Sequence, residues 1–343
     1  MSAAVSVRRA TKASYAGLAV MVVAVLLLAS GPYTFMTKGT QQSLVTLFIF
    51  IVLGTMWNLL AGYGGMISIG QQAYVGLGAY ALVYMANVLG VNPFLSVPVA
   101  IVFAGLMSIP ISFLAFRLSG GYFAIGTWVI AEVVKLIVTQ FQAVGAGAGV
   151  SLSGLSDIPP NFRVAYIYWL SLAAVVIAVT VTYLIMRSRI GLGFTAIRDD
   201  SVAAGSLGVA VTRSKRMVYV IASMGAGLAG AMIALNALRV QPDGIFSVQL
   251  TAEMMFIVLI GGIGSIEGPI LGAIVFFALE QWLSDLGAWY LVILGVVAIV
   301  VVLFFPRGLW GLISGDGRIR LFPIGYRVSV APQQPGPTAP KEA

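Results

Sequence analysis

The 343-residue chain contains no cysteine and no histidine. Without cysteine it can form no disulfide, no thiolate metal site and no cysteine nucleophile. Without histidine it lacks the usual general base and the commonest metal ligand. Charge is also scarce. Only 9% of residues are charged, against about 25% in an ordinary soluble domain. Hydrophobic residues make up 60% of the chain, and 40 glycines come in addition. A soluble globule has no means of covering that much apolar surface. The composition therefore excludes a cytosolic enzyme, a secreted disulfide domain and a disordered tail protein. It leaves an all-α polytopic membrane protein.

The long charge-free runs place the spans. No charge occurs in the 78 residues between Lys38 and Arg117, room for three helices of about 20 residues each and their turns. Ten spans are expected, at roughly 15–35, 42–61, 66–88, 94–116, 122–141, 165–186, 217–239, 248–260, 269–286 and 288–305. The eighth is short and reads as a broken or re-entrant helix. Continuous apolar runs do not alternate as the strands of an outer-membrane barrel do. The first run follows Arg8, Arg9 and Lys12 but is too long for the core of a secretory signal, so it reads as a retained anchor.

The net charge of +8 is read as orientation, with lipid rather than nucleic acid as its partner. With both termini in the cytoplasm, the basic residues near the ends, Arg117 and six in the 187–216 loop all fall inside. Only Lys38, Arg163 and Arg239 fall outside. This divides the chain into a cytoplasmic N-terminus (1–14), a membrane domain (15–312) and a cytoplasmic tail (313–343). The tail is proline-rich and polar, and is expected to be disordered from about 331.

Residues 187–216, RSRIGLGFTAIRDDSVAAGSLGVAVTRSKR, are the longest cytoplasmic loop and the most charged segment. Gly193 is expected to open a short helical stretch. Asp199 or Asp200 then caps a second one, which Gly208 closes in the left-handed conformation. Two short helices there suit either a docking surface or an ordinary solvated loop.

Within the spans, Glu132 and Lys135 lie three apart and share a helix face. Charges at that depth are costly, so the two fit an intrahelical ion pair or a polar pathway. Ser68, Gln71 and Gln72 stand among many glycines, as in a helix that breaks or packs closely. They fit a site for the polar ends of a small substrate, or hydrogen bonds between helices. Asn58 and Asn236 read as interhelical hydrogen-bonding residues. Gly264, Gly268 and Gly272 recur every four residues, a packing stripe. Glu267 falls where a helix N-terminus would favour an acid. The pattern GG-x-x-SI occurs at 64–69 and again at 261–266, too little to establish a repeat. No catalytic or metal-ligating residue is expected.

Several strings carry a family likeness. Ala196-Ile197-Arg198-Asp199-Asp200, then Ala203-Ala204, Leu207-Gly208-Val209, Thr212-Arg213 and Lys215 resemble the cytoplasmic coupling segment of bacterial branched-chain amino acid ABC permeases of the M-type (LivM-like). Residues 62–80, 117–127, 261–273 and 303–311 resemble further blocks of that family, in its order. The outer loop departs from it: AGAGVSLSG stands where the family often has a Thr-Gly-Gly stretch. The resemblance implies the membrane half of an importer in the bacterial inner membrane. Its partners would be a second related permease, two cytoplasmic ATPases and an external substrate-binding protein. Arg198, Asp199, Asp200, Ala203, Ala204, Gly208, Arg213 and Lys215 would then couple to the ATPase. The chain has no G-x-x-x-x-G-K-[ST] and no lysine after a glycine, so ATP would be bound by the partner subunits, with no cofactor on this chain. The implied substrates are branched-chain or other small neutral amino acids, with urea and short amides as an alternative. A self-powered secondary transporter would have only Glu132, Lys135, Glu253 and Glu280 for ion coupling, and would leave the loop unexplained.

Overall fold

The computed structural model describes residues 5–8, 12–155, 158–283, 286–287, 289–305, 307–314, 321–323 and 327–330. The longer helices are α1 (Lys12–Thr34), α2 (Lys38–Asn58), α3 (Gln72–Asn87), α4 (Pro93–Ala115), α5 (Gly121–Val138) and α6 (Pro160–Arg187). After α6 come the short α7 (Arg189–Asp199) and α8 (Ser201–Ser206), then α9 (Val211–Ala237), α10 (Pro242–Ile245), α11 (Val248–Gly261), α12 (Glu267–Leu283), α13 (Trp289–Phe304) and α14 (Gly308–Ile313). A helix occupies each of the ten expected spans. Seven helical stretches among the described residues are long and apolar enough to cross a membrane. The other three, α3, α12 and α13, have 16 or 17 residues. The eighth stretch is longer than the sequence suggests, because α10 and α11 together give an apolar run from Pro242 to Gly261.

Burial sorts these helices. Of the seven long stretches, Lys38–Tyr63 and α9 are the most enclosed, whereas α1 is almost entirely exposed; the shorter α3 is also largely buried. Leu18, Val22, Leu26 and Leu27 of α1 project outward, as a lipid-facing helix should. It is fastened to α6 where the Tyr168 hydroxyl and Trp169 Nε1 donate to the carbonyls of Leu28 and Ala29 at 2.9 Å each. At the centre, α9 packs on α2, α3 and α4. Small residues allow this, since Ala222, Ala226, Ala229 and Gly230 line the buried side of α9.

The packing stripe read at Gly264, Gly268 and Gly272 needs correction. Gly264 is not helical and has φ +79°. Gly268 and Gly272 lie on α12 and meet the end of α11, where added Cβ atoms would overlap the Gly262 and Ile257 carbonyls. The contact is a tight α11–turn–α12 hairpin rather than one continuous face.

Two small antiparallel pairs lie outside the helices. β2 (Val150–Ser151) pairs with β3 (Arg239–Val240), tying the 142–163 loop to the end of α9. β1 (Val5–Arg8) pairs with β4 (Arg327–Val330), so the two terminal segments meet. The tail expected to be disordered, 331–343, lies outside the described residues.

Candidate functional site

Two interruptions in the helices define the site. The first follows α2, whose last turn widens into a π-helix over Leu59–Tyr63. Residues 64–71 are then non-helical until α3 begins at Gln72. The expected span 66–88 is therefore a helix only in its later part. Three of the freed backbone groups find partners inside the protein, as a membrane interior favours. Trp57 Nε1 donates to the Ser68 carbonyl at 3.0 Å, and the Ile69 N–H donates to Thr127 Oγ1 of α5 at 3.2 Å. Ser68 Oγ accepts from the Gly70 N–H at 3.2 Å. Gly70 is forced here, because a Cβ would overlap the Thr127 carbonyl.

The second interruption is the turn between α11 and α12, which carries the second GG-x-x-SI string. The two breaks meet. Asn58, at the end of α2, donates from Nδ2 to the Ser265 carbonyl and accepts from the Gly264 N–H through Oδ1, both at 2.8 Å. A Cβ on Gly62 would stand 2.7 Å from the Gly264 nitrogen. Asn58 thus makes the interhelical bonds its sequence position suggests, and it makes them to two backbone groups of the opposite break.

The cytoplasmic loop lies against the same place. It folds into α7 and α8, but Gly193 does not open the first helix. Ser188 does, accepting from the Ile190 N–H at 3.2 Å, and Gly193 sits within α7. A serine just before the run is the stronger start signal, because its side chain satisfies a free helix N–H. Asp200 caps α8 by accepting from the Val202 and Ala203 N–H groups at 2.8 and 3.0 Å. Gly208 ends the segment at φ +86°, a conformation that disfavours side chains. Arg198 turns inward, where its Nη1 donates to the Gly62 carbonyl at 3.0 Å. Its Nε and Nη2 donate to Asp199 Oδ1 at 3.2 Å each. Ala203 and Arg213 are exposed, Ala204 is buried, and Lys215 is half-buried in the first turns of α9.

Asp200 carries a pH prediction. The Ala203 and Val202 N–H groups hold its carboxyl below the usual 3.8. A depressed folded value means that the cap stabilises α8 fully above the unfolded value and loses that contribution as pH falls through the folded one. Amide exchange over α8 is expected to stay flat from neutral pH down to about 4 and to speed up below it, beyond the intrinsic rate change. In Asp200→Asn, which caps without titrating, the extra acceleration should be absent.

The expected pathway residues do not form one cluster. Ser68, Gln71 and Gln72 lie together at the first break and are all buried. Both side-chain polar atoms of Gln71 lack a partner among the described residues, as does Gln72 Nε2. Gln72 Oε1 accepts from the Thr251 hydroxyl of α11. Lys135 is elsewhere, in the last turn of α5, and the Glu132–Lys135 ion pair does not form. Lys135 Nζ pairs with Asp243 of α10 at 2.8 Å. Glu132 stays within electrostatic reach of Lys135, but the exposed Asp243 offers a closer carboxylate with less desolvation. Asp243 follows the end of α9, so this pair belongs to the face opposite the 187–216 loop. Glu267 opens α12 as expected. Its carboxylate accepts from the Leu321 and Phe322 N–H groups at 3.0 Å and so holds the segment after α14. Trp57, Thr127 and Thr251 were not identifiable as site residues, since a tryptophan or threonine in an apolar span has many ordinary uses.

Residues 39–303 match the family described as branched-chain amino acid transport system / permease component. The chain belongs to this family. It is similar to the high-affinity branched-chain amino acid transport system permease protein LivM of Escherichia coli, with 26% identity over 84% of this chain and 73% of that protein. Two partial likenesses are higher in identity and shorter. The autoinducer 2 import system permease protein LsrC of Klebsiella pneumoniae is 31% identical over 43% of this chain and 46% of that one. The ribose import permease protein RbsC of Bacillus subtilis is 29% identical over 40% and 46%. No solved structure matches the chain. The apolar helices and these relatives make the permease a multi-pass protein of the bacterial inner membrane, of the ABC importer type.

Proposed function

We propose that this permease moves branched-chain amino acids inward through alternating access driven by separate ATPase subunits acting on the 187–216 segment. The observation that carries the reading is the two-sided character of that segment. Its inner side is bonded to a break in the membrane helices through Arg198. Its outer side shows Val202 and Leu207, 78% and 84% exposed. Apolar side chains displayed on a capped helix in water mark a contact surface for another protein. Asp199, Asp200, Ala203, Gly208, Arg213 and Lys215 frame that surface, with Ala204 buried beneath it and Arg198 bonded to the membrane helices behind it.

The remaining partners are a second related permease, a second ATPase and an external binding protein, with ATP held by the ATPases. The chain crosses the membrane ten times with both termini cytoplasmic, and the β1–β4 pairing supports an even number of crossings. Selectivity for branched-chain amino acids draws support from the LivM likeness across most of the chain, whereas the likeness to LsrC and RbsC covers less than half of it.

The test is uptake by the assembled complex in liposomes, with labelled leucine challenged by unlabelled isoleucine, valine, urea, acetamide or ribose. The expected result is ATP-dependent leucine uptake that isoleucine and valine suppress. Competition by urea or acetamide alone would transfer the site to short amides. Uptake at the full rate by this chain without ATPases would end the importer reading.

A further inference from the structure

Arg198 reaches from the 187–216 segment toward the membrane helices. Its guanidinium lies between the two breaks. It donates to Gly62 of the first break at 3.0 Å. A Cβ on Gly264 of the second would stand 3.0 Å from Nη1. The Arg198 backbone is also close, since a Cβ on Gly65 would lie 3.2 Å from its Cα. The Gly62 carbonyl is available because the π-helix takes the carbonyls of Leu59, Leu60 and Ala61 for the N–H groups of Gly64, Met66 and Gly65. Asn58 then joins the first break to Gly264 and Ser265. The Tyr63 hydroxyl, buried without a partner among the described residues, lies within electrostatic reach of both Arg198 and Glu267.

We infer that Arg198 is a positioning residue, a latch through which movement of α7 and α8 shifts both breaks as one unit; this rests on the importer reading above. A charge-assisted hydrogen bond is stronger and more directional than a neutral one. The carbonyl it holds belongs to a segment whose own helical bonding is already interrupted. Displacing α7 displaces the Gly62 carbonyl, and the paired bonds of Asn58 carry the displacement to 264–265. An arginine is required because one end of its planar fork reaches Gly62 while the other is held by Asp199. A lysine ammonium has a single nitrogen and cannot span both.

The experiment uses the complete complex in liposomes, with leucine as the probe, and reads uptake and ATP hydrolysis separately. Arg198→Ala is expected to lower leucine taken up per ATP about tenfold, within the usual 5- to 150-fold of site-to-site coupling, while hydrolysis stays within about twofold. Arg198→Lys, which keeps the charge, should lose most of the same ratio. Adding Asn58→Ala to Arg198→Ala should cost little more, since residues in one chain of contacts are not additive. An unchanged uptake-to-ATP ratio in Arg198→Ala and Arg198→Lys overturns the latch. So does a parallel fall of uptake and hydrolysis, which would place Arg198 in the ATPase contact.

A second readout does not depend on the substrate. The chain has no cysteine, so spin labels at Ile67→Cys and Ile263→Cys, exposed positions in the two breaks, report their movement alone. The label spectra should change with ATP in the native sequence and not in Arg198→Lys. If leucine is not transported but the labels respond in this way, the substrate reading fails and the latch stands. An equal response in both proteins overturns the latch.

Discussion

Gly230→Val is expected to reduce the amount of folded permease in the membrane to below about a tenth of the native level. At the crossing of α3 and α9, a Cβ on Gly230 would overlap the Val75 carbonyl, and one on Gly78 would overlap the Gly227 carbonyl. The obstacles on both sides are backbone, which cannot rotate away as a side chain can. Valine would force the helices apart along a contact whose other members, Ala79, Val83, Ala222, Ala226 and Ala229, are already completely buried. Lipid provides no hydrophobic drive to hold helices together, so their association depends on this close packing. Overpacking a well-filled core costs about 1–3 kcal/mol for added methylenes. A backbone collision belongs to the rarer class above about 4 kcal/mol, a large part of a total stability of about 5–15 kcal/mol. The measurement is membrane-fraction yield together with thermal unfolding in detergent. Gly121→Ala, where nothing lies within 4 Å of the added Cβ, should leave both unchanged. Normal yield and unfolding temperature for Gly230→Val would show that α3 and α9 do not rely on this crossing.

The positions of the helices were legible because the membrane imposes one rule, long apolar runs, and the chain follows it throughout. Asp200 and Gly208 were legible because capping and left-handed closure are local events set by residue type. The start of α7 was less legible for the same local reason, since a glycine and a serine five residues apart both mark boundaries and only the serine can bond a free N–H. The first break was visible in the glycines and glutamines of 62–80, but not its length, because eight irregular residues read as apolar as a helical turn. What could not be read was pairing across the fold. Lys135 has Glu132 beside it in sequence and Asp243 beside it in space. Asn58 and Arg198 belong to segments far apart in the chain, and only the folded structure shows that both reach the 62–65 and 261–265 breaks. The weak GG-x-x-SI similarity, set aside as a repeat, marks two turns that touch.

Gln71→Leu is expected to cut leucine uptake about tenfold or more while leaving the permease at least as stable as before. Gln71 is 1% exposed, and neither its side-chain Oε1 nor its Nε2 has a partner among the described residues. A buried polar group left unsatisfied costs about 1–3 kcal/mol, so leucine, of similar size, removes a cost and breaks no bond. A residue kept only for packing would make this substitution neutral for transport. A residue whose amide meets the polar end of a passing amino acid would instead lose up to about 1–3 kcal/mol of that interaction, and about 1.4 kcal/mol corresponds to tenfold. Thr251→Val supplies the contrast, because the Thr251 hydroxyl already donates to Gln72. Its removal leaves Gln72 with both side-chain polar atoms unpaired and should lower the unfolding temperature. Stability and uptake thus separate in Gln71→Leu and fall together in Thr251→Val. Full uptake by Gln71→Leu would remove Gln71 from the substrate path and leave the first break a feature of folding alone.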